Sequence, residues 1–201
     1  MRIPLFPLHT VLFPGGLLAL RVFEQRYVEM TKACLRDDAP FGVCMIRQGS
    51  EVAQEGDAGP VLADIGTLAH IASWDMPQLG ILHLATRGGA RFRVERTARE
   101  RSGLVVADVV AMPAEPAARL TPAQAPLRAL LELVAGRVGA EHFPAGGDFD
   151  DASFVGYRLA EFLPLPLPVK QTMLEVNDAG VRLSVLQKFL QEQGVIASGR
   201  S

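Results

Sequence analysis

The sequence predicts an α+β protein: a β-rich small barrel or sandwich with one helix, followed by a C-terminal α-helical bundle. Three observations carry this reading. Up to about residue 112, apolar residues fall in short runs separated by Gly and Pro turns. At Met112-Pro113-Ala114-Glu115-Pro116-Ala117 the composition becomes that of a linker. Beyond it, apolar residues recur at helical spacing. The expected domains are 1–115 and 116–201. Of 201 residues, 49% are hydrophobic and 21% charged, which excludes a disordered chain.

The elements follow in order. Ile3–Leu8 is extended, and its prolines suit an edge strand. Leu17–Phe23 follows the Pro14-Gly15-Gly16 turn. A helix is expected over Gln25–Leu35, with Tyr27, Met30 and Cys34 on one stripe. Phe41–Ile46 reads as a buried strand, and the polar, Gly-bearing stretch Gln48–Pro60 as a long surface loop. Strands are expected over Ile65–Ser73 and Leu79–Thr86, with a turn at Trp74-Asp75-Met76-Pro77 between them. In Arg91–Glu95, Phe92 and Val94 face in and the charges face out. Leu104–Ala111 is the last strand. In the second domain, Thr121-Pro122-Ala123-Gln124 is a capping box that opens a helix carrying Leu127, Leu130, Leu131, Val134 and Val138. Further helices are expected over Ala152–Leu163, Val169–Glu175 and Ala179–Gln193, the last capped by Asp178.

Residues suited to catalysis are scarce. Seventeen of the twenty basic residues are Arg, leaving Lys32, Lys170 and Lys188, and the four histidines are scattered. Phosphate-loop, dinucleotide, zinc and nucleophile-elbow motifs are absent, so no cofactor, metal or catalytic residue is assigned. Ser184 and Lys188 lie four apart on a helix, but this Lys is near a helix C-terminus, where its charge is favoured. Asp148, Asp150 and Asp151 lack the remaining calcium-loop ligands and instead suit a helix N-terminus. Cys34 and Cys44 sit among apolar neighbours and read as buried, reduced thiols. No apolar run reaches the ~20 residues of a membrane span, and the N-terminal prolines break any leader-like helix, so a soluble cytoplasmic protein is expected.

Two surfaces stand out. Trp74 and Met76, at an expected loop tip, form a candidate contact for apolar peptide segments, although a Trp74 folded back as a barrel cap is slightly preferred. Arg87, Arg91, Arg93, Arg96, Arg99 and Arg101 face only Glu95 and Glu100, a local net charge of +4. Arg91, Arg93, Arg96 and Arg99 are the candidates for an RNA-binding alternative. A solvated hairpin that resists edge pairing explains them as well.

Several stretches together resemble the N-terminal, substrate-binding domain of the Lon protease family. They are Ile3-Pro4-Leu5-Phe6-Pro7-Leu8, Val11-Leu12-Phe13-Pro14-Gly15, Val22-Phe23-Glu24-Gln25-Arg26-Tyr27, Ile65-Gly66-Thr67-Leu68-Ala69 and Gly89-Ala90-Arg91-Phe92-Arg93-Val94. Leu159-Ala160, Leu163-Pro164, Lys170-Gln171, Leu174-Glu175 and Arg182-Leu183 resemble its helical part. The resemblance implies a PUA-like pseudobarrel followed by a helical bundle. The family's ATPase and Ser–Lys protease modules are not found, which gives the expectation of a stand-alone, non-catalytic domain. The implied partners are unfolded or damaged polypeptides and an ATP-dependent protease served as an adaptor; the oligomeric state is left open. Gly66 and Gly89 are expected to permit tight backbone approach, and Arg26 with Glu24 to fix the helix against the barrel.

Overall fold

Residues 1–51, 59–144 and 146–196 are described by the structure, a computed structural model. They form two compact units, Met1–Pro113 and Ala114–Ser201. The middle of the loop expected over Gln48–Pro60 lies outside the described residues.

The first unit contains β1 (Arg2–Leu8), β2 (Leu17–Val22), α1 (Gln25–Asp37), β3 (Phe41–Gln48), β4 (Val61–Leu62), β5 (Ile65–Gln78), β6 (Ile81–Arg99) and β7 (Val105–Ala111). Five strands form a ring in the order β1-β7-β6-β5-β3, closed by parallel pairing of Leu5–Leu8 with Gly42–Met45. β2 lies on β6 and β4 on β3. Closing a sheet on itself removes edges that would otherwise seek partners.

β1 is therefore not the edge strand its prolines suggest. β7 pairs with Arg2–Leu5 and β3 with Leu5–Leu8, so Pro4 and Pro7 each have a partner on one side only. A residue without an N–H is tolerated where the other side of the ladder is empty.

β5 and β6 depart further from expectation. β5 runs straight through Trp74-Asp75-Met76-Pro77, and β6 joins two strands expected to be separate. The chain reverses instead at Leu79-Gly80, where Gly80 has φ 83°, a conformation that favours glycine. Trp is a good strand former, and Pro77 is admitted because β5 is an edge strand there. At Gly66 an added Cβ would lie 2.5 Å from the Val43 carbonyl oxygen and 2.7 Å from the Phe92 ring, so the close approach expected of this glycine is present.

α1 buries Tyr27, Met30, Thr31 and Cys34, and the Tyr27 ring stacks on Phe6 with centroids 4.0 Å apart. Arg26 pairs with Glu24 at 2.8 Å and donates to the Gly103 carbonyl at 3.1 Å, linking α1 to the β6–β7 turn. A second apolar cluster gathers Ile3, Leu5, Cys44, Phe92, Val105 and Val109.

The second unit contains α2 (Ala125–Val138), α3 (Ala152–Phe162), α4 (Leu167–Glu175) and α5 (Ala179–Glu192). The expected capping box is present at Thr121–Gln124, where the Thr121 N–H donates to Gln124 Oε1 at 2.9 Å. Asp151 accepts from Phe154 N–H and Asp178 from Val181 N–H, capping α3 and α5. Leu127, Leu131, Leu159, Leu183 and Leu186 form the centre of the core.

Candidate functional site

The free end of the β5–β6 hairpin gathers three exposed apolar side chains, Trp74, Met76 and Leu79. Directly paired residues share a sheet face. Leu20 on β2, Leu84 on β6 and Trp74 on β5 are paired in succession and make one cross-strand row. Leu20 and Leu84 belong to the core, with Leu84 only 2% exposed, while Trp74 is 54% exposed. The apolar face thus runs outward from the interior to the strand edge. Arg21, His83 and Asp75 form the neighbouring row, which lies on the opposite face and is polar. Met76 is 41% exposed and Leu79 at the turn is 93% exposed. Trp74 does not fold back as a cap. Its position in a regular strand, instead of a loop, holds it at the margin of the core.

A second apolar surface is an open groove of about 720 Å³. Ile3, Pro4, Met30, Ala33, Leu104 and Val106 supply its apolar lining, with Arg26 and Glu29 among its polar residues.

The four arginines of the RNA alternative are not brought together. Arg91 is 5% exposed and so is not offered to a phosphate backbone. Arg91 keeps the face opposite Phe92 that alternation assigns it, but it pairs there with Thr67, and that face is covered by the chain at Leu12, whose carbonyl accepts from Thr67 Oγ1 at 2.6 Å. Arg93 and Arg96 pair with Val110 and Asp108, on one face of β7, whereas Arg99 pairs with Val105, on the other. Asp108 also places a negative charge opposite Arg96.

The groups considered for chemistry are engaged elsewhere. Ser184 Oγ donates to the Gly180 carbonyl at 2.9 Å, and Lys188 points toward Glu192 at 4.0 Å while remaining exposed. Asp148 pairs with Arg119, Asp150 with Arg128, and Asp151 is the α3 cap. Among the described residues no group of His, Cys, Asp or Glu is arranged to hold a metal ion. Burial pushes the Cys44 thiol up to about 12 and also raises that of Cys34, so the reactive thiolate is disfavoured at both.

Sequence reasoning missed the buried charge network of the second unit. Glu115, assigned to a linker, accepts from Arg182 Nη1 at 2.9 Å, from Ser153 Oγ at 2.6 Å, and from Arg182 Nη2 and Tyr157 Oη. The Arg182 guanidinium also lies 3.9 Å from the Tyr157 ring centroid. The signal was Arg182 itself: it lies three residues after Ala179 and four before Leu186, on the apolar face of α5. A buried arginine requires an acid partner.

The family model of the ATP-dependent protease La (LON) substrate-binding domain matches residues 2–192. The chain belongs to this family. A Lon N-terminal domain protein from Xanthomonas campestris is 35% identical, with a TM-score of 0.76 over 94% of this chain and 98% of that one. The N-terminal domain of a Mycobacterium avium complex Lon protease shares the fold, with a TM-score of 0.63 at 17% identity over 96% of this chain and 99% of that one. Lon protease 2 of Myxococcus xanthus is 36% identical, and the Lon protease of Anaeromyxobacter dehalogenans 33% identical, each over 49% of this chain. The matched regions span only 12% and 11% of those two proteases. The Lon substrate-binding domain is a protein-binding, non-catalytic part of an ATP-dependent protease. Among the described residues, no helix is long and apolar enough to cross a membrane.

Proposed function

We propose that this Lon-type domain binds apolar segments of unfolded or damaged proteins through Trp74 and Met76 of β5. On this reading it acts by binding alone, delivers its cargo to an ATP-dependent protease as an adaptor, and works in the cytoplasm, where buried free thiols stay reduced. The observation that supports it is the row Leu20–Leu84–Trp74, an apolar face that continues from the core into solvent. Large aromatic and thioether side chains at such a margin adapt to varied apolar partners.

Trp74 is the sole tryptophan, so its fluorescence reports on this surface directly. Reduced, carboxymethylated ribonuclease A, which has no tryptophan, should shift the emission to the blue as it saturates the domain. Trp74→Ala, followed by anisotropy of labelled ribonuclease, should weaken binding about tenfold, a typical loss for an aromatic anchor. Ala33→Arg, which obstructs the groove, should leave binding unchanged. Loss of binding in Ala33→Arg with retention in Trp74→Ala would transfer the function to the groove.

A further inference from the structure

Among the described residues, no strand lies on the outer side of β5 beyond Ala69. β3 pairs with β5 only opposite Thr67–Ala69, and among the described residues the main chain from Ile71 to Asp75 is bonded to β6 alone, while the Met76 N–H donates to Asp75 Oδ1 at 2.7 Å. This stretch is therefore an open sheet edge, with main-chain N–H and C=O groups facing solvent. From Ala72 onward every residue of β5 is exposed. We infer that an extended polypeptide segment docks here by β-augmentation, adding an outer strand to β5 with an apolar residue seated beside Trp74. The inference rests on the proposed peptide-binding reading and deepens it by naming the mode of recognition.

Three features favour this occupant. An edge strand recognises any extended chain through its main chain, and alternate side chains add preference. Recognition that depends little on sequence is what varied unfolded chains require. The apolar row ends at β5 with Trp74 half uncovered, so one more strand would extend the row and cover the indole. The edge is also short: register shifts between Ile71 and Ser73 and between Asp75 and Gln78 bound its regular part, and Pro77 has no N–H to offer. Bulges and prolines are common devices against edge-to-edge association of identical sheets. A short flexible segment can follow such an edge, whereas a second copy of this rigid ribbon would gain few bonds from it.

The test uses the full chain and a labelled peptide of about ten residues, alternating valine and threonine between terminal lysines, a length that spans an ordinary strand. Two further peptides with the same side chains carry N-methyl groups on alternate residues, one set on the valines and the other on the threonines. Main-chain N–H groups of a strand point alternately to its two sides, so only one set faces β5. That set should bind about tenfold more weakly than the unmodified peptide, and the other should bind nearly as well. Equal affinity of both methylated peptides and the parent overturns strand addition. If Trp74→Ala still weakens the parent peptide in that case, the side-chain reading survives without it. If neither the parent peptide nor unfolded ribonuclease binds, both fail. A shift in sedimentation with protein concentration that is accompanied by a change in Trp74 emission assigns the edge to a second copy and also overturns the inference.

Discussion

Arg182 is fully buried, and Glu115 is its counter-charge. Burial by itself raises the Glu115 pKa, but hydrogen bonds from Arg182, Ser153 and Tyr157 outweigh it and hold the carboxyl below the usual carboxylate range. A carboxyl whose folded pKa is lowered contributes stability that is complete above its unfolded pKa and is lost as pH falls through the folded value. The thermal midpoint of the C-terminal unit should therefore fall on acidification below about pH 4.5. Glu115→Gln leaves the guanidinium uncompensated and should cost about 3–5 kcal/mol in urea unfolding at neutral pH. The same variant should show a shallower acid dependence than the wild type. Glu115→Leu combined with Arg182→Met should recover much of the loss, because an apolar pair of similar volume replaces the ions.

Single elements were legible to different degrees, and the reasons are physical. The helices were read within a few residues at either end because each carries local signals: Asp178 as a cap, the Leu127 and Leu131 stripe, and the Leu163-Pro164 stop. β5 and β6 were not, because the cues at Asp75-Met76-Pro77 and Gly88-Gly89 are also those of an edge strand and a bulge. Only pairing partners far along the chain distinguish these from turns. The same limit hid the site: Trp74 and Met76 were picked out by residue type, but the open edge beside them depends on how little of β5 is covered by β3. Arg91 is the converse case, a charge that alternation places on the face opposite Phe92, where the chain at Leu12 covers the sheet. Gly66 shows what tight strand packing demands. Gly66→Ala forces a methyl against the Val43 carbonyl and Phe92 and should cost about 1–3 kcal/mol, measured by chemical denaturation. Retention of wild-type stability would show that the β3–β5–β6 layer can yield.

At the scale of the molecule, each unit has its own buried centre, the barrel around Phe41, Leu84 and Phe92 and the bundle around Leu131, Leu159 and Leu183. Residues 1–113, expressed alone, should therefore give a dispersed amide spectrum and a cooperative thermal transition; a broad, non-cooperative transition would show that the barrel depends on the bundle. The ring has a further consequence, in time. Arg2 pairs with Asp108 and Leu5 with Val105, so closure joins the first strand of the barrel to its last. Contacts so distant along the chain form slowly. During synthesis, β1 cannot find β7 until Ala111 has left the ribosome, and its apolar residues wait uncovered. For that interval the nascent domain is itself an extended apolar polypeptide, a ligand of the kind that its finished β5 edge is proposed to bind.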